Sequence, residues 1–84
     1  MGTNDLLNLT RRRPFVPFRI VTSDGTIYEV PRPDLIMVGL SSVIIGYPSD
    51  QEAHAYGRFD VVSMRHIVRL EPNEPAEQTA GPPS

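Results

Sequence analysis

A mainly β fold is predicted, with a short N-terminal helix leading into a strongly bent five-stranded antiparallel sheet or a small barrel. Three observations predict it. A leucine-bearing segment near the N-terminus is stopped by Pro14. The chain after it holds short apolar runs that alternate with period two, the spacing of a half-buried strand. Glycine and proline punctuate these runs closely enough to bend a sheet. At 84 residues there is room for one domain. A domain this small buries a modest share of its surface, so self-association would add to a thin stability margin.

The helix comes first. Thr3 or Asn4 can cap it, and Asp5 lies in the first turn, where free backbone N–H groups favour negative charge. Leu6 and Leu9 share a face that Leu7 widens, and Arg11, Arg12 and Arg13 fall in the last turn, beside the free carbonyls. Pro14 ends the helix because proline disfavours the α conformation in the residue before it. A helix of about nine residues does not persist alone, so its leucines must pack on a sheet. The following "PFVPF" is a stiff elbow that drives Phe15 or Phe18 beneath the helix.

"FRIVTSDGTIYEV" is predicted as a hairpin, and the turn decides which side chains share a face. A two-residue turn would set Ile20 opposite Glu29. A three-residue Ser23-Asp24-Gly25 loop, with Gly25 left-handed in a bulge, pairs Thr22 with Thr26, Ile20 with Tyr28 and Phe18 with Val30. Only the second puts Phe18, Ile20, Tyr28 and Val30 on one face, leaving Arg19, Ile27 and Glu29 on the other. "PRPDLIMVG" reads as a departure from the sheet, since Pro31 and Pro33 have no N–H to donate. "SSVIIGYP" is a third strand, with Val43, Ile45 and Tyr47 on one face. "SDQEAHAY" is a protruding polar connection. "RFDVV" is a fourth strand, with Phe59 and Val61 on one face and Asp60 toward solvent. After the tight turn "SMRH", "IVRLE" is the fifth, with Val68 and Leu70 alternating against Ile67, Arg69 and Glu71. The domain is therefore placed at residues 1–71. Residues 72–84 hold no large apolar side chain and are expected to be a disordered tail.

Composition narrows the function. The chain has eight Arg, no Lys and no Cys, which removes disulfides, thiolate nucleophiles and thiolate metal sites. Residues 1–71 carry eight Arg and eight acids, a neutral balance without the broad basic field of a non-specific nucleic-acid binder. No apolar run approaches the ~20 residues needed to span a bilayer, and no signal-peptide pattern opens the chain. A cytoplasmic location is expected. His54 and His66 lack the spacing of a zinc motif, and neither a nucleophile elbow nor a phosphate-binding glycine loop is present. No cofactor, catalytic residue or small-molecule substrate is inferred. The polar candidates are the Arg11, Arg12 and Arg13 cluster and the Arg65-His66 turn, as phosphate or partner contacts.

"RPFVPFRI", the DG turn with its following "EV", and "VVSMRHIVRLE" resemble a group of short, uncharacterised bacterial proteins over about residues 5 to 71. More loosely, the chain is similar to bacterial Sm-like RNA chaperones. That resemblance implies an SH3/Sm-like barrel, assembly into rings and RNA binding, with Arg65 and His66 lining a pore and Arg11 to Arg13 on a rim. Arg65 stands where that family commonly has lysine, and "PSDQEAHAYG" is long for it. The residues themselves favour a non-catalytic protein-interaction or assembly module, partnered by itself or another protein, with RNA binding as the alternative.

Overall fold

The computed structural model describes residues 2–52 and 54–73. Helix α1 (Thr3–Thr10) precedes six strands: β1 (Phe18–Thr22), β2 (Ile27–Val30), β3 (Ile36–Val38), β4 (Ser42–Pro48), β5 (Tyr56–Ser63) and β6 (Ile67–Pro72). Among the described residues they form two three-stranded antiparallel sheets, ordered β2-β1-β6 (sheet A) and β3-β4-β5 (sheet B).

The expected five-stranded sheet or SH3/Sm-like barrel is thus corrected. No ladder joins β2 to β3 or β5 to β6, so neither closure nor a single continuous sheet is formed. Both interruptions have local causes. Pro31 and Pro33 remove two ladder donors, and a 3₁₀ turn over Pro33–Leu35 carries the chain out of sheet A. A second 3₁₀ turn, Met64–His66, separates β5 from β6. The additional strand, β3, lies in the segment read as a departure. Past Pro33 its alternation is regular, with Ile36 and Val38 half-buried, Met37 outward and the three paired to Ile45, Val43 and Ile44.

The first hairpin has the expected register: Phe18 opposite Val30, Ile20 opposite Tyr28. Gly25 has φ of +88°, a left-handed conformation that favours a residue without a Cβ. The Gly25 N–H donates to the Thr22 carbonyl at 2.9 Å, and the Thr22 N–H to the Thr26 carbonyl at 3.0 Å. A second bulge falls where β1 meets β6. Thr22 pairs with Ile67 and Val21 with Arg69, which leaves Val68 as the extra residue. Ile67 and Leu70 therefore both pack toward the core although three apart, while Val68 is exposed. The plain alternation expected for this strand does not hold.

One core forms between the inner faces of the two sheets and the helix: Phe18, Ile20 and Val30 with Ile67 from sheet A, Val43, Ile45 and Val62 from sheet B, Met64 and Leu6. Phe15 is half-buried against it, its ring 6.0 Å from that of Phe18. The expected Thr3 or Asn4 cap is replaced. Gly2 is the N-cap, and the Thr3 hydroxyl reaches across to the main-chain carbonyl of Gly39 at 3.0 Å. β6 runs through Pro72, and the Asn73 N–H donates to the Pro17 carbonyl at 2.8 Å, so pairing continues past the expected boundary at residue 71. The rest of the expected tail, 74–84, lies outside the described residues. No helix among the described residues is long and apolar enough to cross a membrane.

Candidate functional site

Arg11, Arg12 and Arg13 follow the helix rather than forming its last turn, and Arg11 is its C-cap. Arg13 donates to the carbonyls of Thr10 at 3.0 Å and Arg12 at 2.7 Å, so its guanidinium meets acceptors that the helix end leaves open. Arg65 and His66 are exposed on the 3₁₀ turn between β5 and β6. That turn is tied to the opposite end of the fold. The Met64 N–H donates to the Ser41 carbonyl, next to the Gly39 and Leu40 carbonyls that Thr3 contacts, and the Ser23 N–H donates to the His66 carbonyl. From Thr3 the helix rises about 12 Å toward the arginines, and the elbow that follows them leads to Phe18, at the end of β1 away from Ser23. The two clusters thus stand at opposite ends of helix and sheet and do not converge.

His66 and Ser63 lie between two open depressions. One, of about 290 Å³, is walled by the Thr22–Asp24 loop and Tyr28; the other, of about 810 Å³, by Ser41, Ser42 and Arg65. His54 is exposed, with Nδ1 3.8 Å from the Glu52 carboxylate.

In the first depression, the Asp24 carboxylate accepts hydrogen bonds from the Thr22 hydroxyl at 2.6 Å and the Thr26 N–H at 3.0 Å. These donors, Thr22 first, hold its pKa down from 3.8 to about 2. A folded pKa below the unfolded one means that the contribution to stability is full above about pH 4 and is lost as pH falls toward 2. Asp24→Asn is therefore expected to lower the urea midpoint at pH 7, with the gap to the unsubstituted protein closing between pH 4 and 2. A gap of constant size over that range would show that Asp24 has no share in acid unfolding.

The largest apolar feature lies elsewhere, on the outer face of sheet B. Met37, Ile44 and Val61 form a row across its three strands, and Phe59 lies beside Gly46 in the next row. Met37 is 66% exposed, Val61 69%, Phe59 57% and Tyr56 41%. Tyr56 reaches this face because of a bulge. Tyr47 pairs with Arg58 and Pro48 with Tyr56, leaving Gly57 as the extra residue. In an unbroken strand, residues 56 and 59 would point to opposite faces. Here the Tyr56 ring lies edge-on to Phe59, with centroids 5.3 Å apart, and covers Gly46. A Cβ at position 46 would stand 3.0 Å from the Tyr56 ring. The Tyr56 hydroxyl donates to the Asp34 carbonyl, fastening the ring across the sheet from β5 toward β3.

Charge sits on the other faces. Asp60, expected in solvent, turns inward and is half-buried, accepting from the Tyr47 hydroxyl at 2.8 Å. Burial first, and then this carboxylate, raise the Tyr47 pKa. Arg58 stacks 3.9 Å above the Tyr47 ring and lies 3.5 Å from Asp60. The outer face of sheet A carries Arg19 and Arg69, both paired with Glu71, together with Glu29. One sheet thus presents an ion-paired surface and the other an apolar one with the Arg32–Asp34 pair at its edge. Comparison with protein-family models, curated proteins and solved structures finds no match for this chain.

Proposed function

We propose that this protein is a non-catalytic assembly module that joins a second copy of itself through the outer face of sheet B. The observation that carries the reading is an apolar face, with the Arg32–Asp34 ion pair at its β3 edge, beside a sister sheet whose outer face is ion-paired. The four side chains at those exposures leave on the order of 400 Å² of largely apolar surface in water, taking about 150–250 Å² for each free aromatic ring and less for Met37 and Val61. That falls within the roughly 300–600 Å² of the largest apolar patch on a typical monomer, a patch that is often functional.

A second copy fits this face better than the chain's own tail, because residues 74–84 carry no apolar side chain larger than alanine or proline. Charge does not oppose identical partners, since the one carboxylate bordering the face, Asp34, is paired with Arg32 and a face of one sign would repel its own copy. Two such faces in contact remove on the order of 800 Å² of apolar surface, a gross gain of about 20 kcal/mol. Association opposes this with about 4–15 kcal/mol.

Sedimentation velocity is expected to give a species of twice the 9.4 kDa chain mass. Phe59→Asp should convert it to monomer without loss of fold, because that side chain is mostly in solvent. Ile27→Asp, on the outer face of sheet A, should leave the dimer intact. A strict monomer near millimolar concentration would overturn the reading. So would an assembly that dissolves on nuclease treatment and carries excess absorbance at 260 nm, which would turn it toward RNA.

A further inference from the structure

Sheet B ends in an open strand edge. Among the described residues β5 pairs with β4 on one side only, and at eight residues it is the longest strand of the fold. The other edge strands are blunted: β2 has four residues and runs into Pro31, β3 has three, and β6 carries the Val68 bulge and ends at Pro72. The Gly57 bulge lies at the start of β5 and leaves Arg58 to Ser63 in regular register.

Two hydrogen bonds fix which main-chain groups this edge exposes. The Met64 N–H donates to the Ser41 carbonyl, so Met64 faces β4. Hydrogen-bonding direction alternates along an antiparallel strand, so Val62, Asp60 and Arg58 also turn their N–H and C=O groups toward β4. Phe59, Val61 and Ser63 turn theirs outward. The Gly39 N–H on the Ser42 carbonyl agrees, since it puts Ser42 and Ile44 in the ladder with β3.

An identical edge supplies the donors and acceptors that these three residues lack. In the antiparallel register centred on Val61, Phe59 meets Ser63 of the other copy and the two Val61 meet each other, with two hydrogen bonds per pair and about six in all. Centring on Asp60 would set two carboxylates opposite each other, and centring on Phe59 would run into the Gly57 bulge. The chain's own residues 74–84 do not suit the edge. Pro75, Pro82 and Pro83 interrupt them, and the stretch between holds one β-branched residue, Thr79.

We propose, resting on the dimer above, that β5 pairs with β5 of another copy about Val61 and joins two face dimers into an assembly of four chains. This two-fold axis is normal to the sheet, so it sets edges side by side and continues the apolar outer face across the junction. Hydrogen bonds exchanged against water do not by themselves hold two free chains. Where the two-fold axis of the face pair lies between the sheets and crosses the strands, β5 stands over β5, and two dimers join by both edges at once.

Ser63→Pro tests the edge without touching the apolar face. Ser63 has φ of −72°, which proline adopts, and the N–H it would lose points away from β4. Sedimentation equilibrium is expected to show dimers passing to four chains as concentration rises. Ser63→Pro should raise the concentration this needs by about a hundredfold or more and leave the dimer unchanged. The chain has no cysteine, so Val61→Cys alone should cross-link on mild oxidation, with Cα atoms about 5.5 Å apart. Faces packed about 10 Å apart would not bring these thiols together. If the dimer associates no further, if Ser63→Pro leaves the four-chain form unchanged, or if Val61→Cys stays unlinked, the edge pairing is overturned and the dimer stands. If the unsubstituted chain is monomeric, the dimer and the pairing built on it are overturned together.

Discussion

Phe18→Ala is expected to destabilise the domain by about 3–5 kcal/mol, the range for deleting a buried aromatic ring. Phe18 opens β1, the central strand of sheet A, where it is paired with Val30 on one side and Pro72 on the other. It is among the largest side chains that are fully buried, and one of only three phenylalanines in the chain. The sheets provide no other aromatic ring of comparable burial. A domain of this size has a total stability of the order of 5–10 kcal/mol, so the substitution removes a large share of it. Urea unfolding should show a much lower midpoint, and thermal unfolding a fall of roughly 15–30 °C. A loss below about 1 kcal/mol would mean that Phe15, whose ring is 6.0 Å away, swings into the vacated space.

Phe18 and its hairpin were legible in the sequence because the rule that applies there is local. Glu29 among apolar residues argued against a two-residue turn, and Gly25 supplied the left-handed position that the longer loop needs. The helix was legible through Leu6 and Leu9. The features that escaped depend on bulges. Gly57 and Val68 each insert one residue into a ladder, and each reverses the inside-outside phase of the strand beyond it. Reading "SDQEAHAY" as a connection therefore misses that Tyr56 belongs to β5 and shares a face with Phe59, and strict alternation misses that Ile67 shares one with Leu70.

The apolar outer face of sheet B was hidden for a related reason. β4 reads Val43, Ile44, Ile45, apolar at both parities, and nothing local says which parity meets the core and which meets solvent. Asp60 was placed outward because charge usually is, but the Tyr47 hydroxyl and Arg58 give it partners on the inner side. The polar candidates, in contrast, stood out by residue type alone. Their separation to opposite ends of the fold comes from the direction of the helix, which residue type does not encode.

Leu6→Ala is expected to cost about 2–5 kcal/mol, and its effect should be concentrated in the helix. Eight residues are too few to hold a helix by their own propensity, so α1 depends on its contacts. Leu6 is its one fully buried side chain, while Leu9 is only half-buried against the core. The remaining ties are polar and partly exposed: the Thr3 hydroxyl on the Gly39 carbonyl and Arg13 on the Thr10 carbonyl. Each is worth roughly 0.5–1.5 kcal/mol net, which does not replace a buried leucine. The substituted protein should therefore open its helix at a lower free energy than its sheets. Hydrogen exchange at the amides of Leu7 to Arg11 should speed up well beyond that of the Ile20 and Ile45 amides. Equal acceleration in helix and strands would mean instead that Leu6 holds the two sheets together directly, and that the helix, the sheets and the core between them unfold as one cooperative unit.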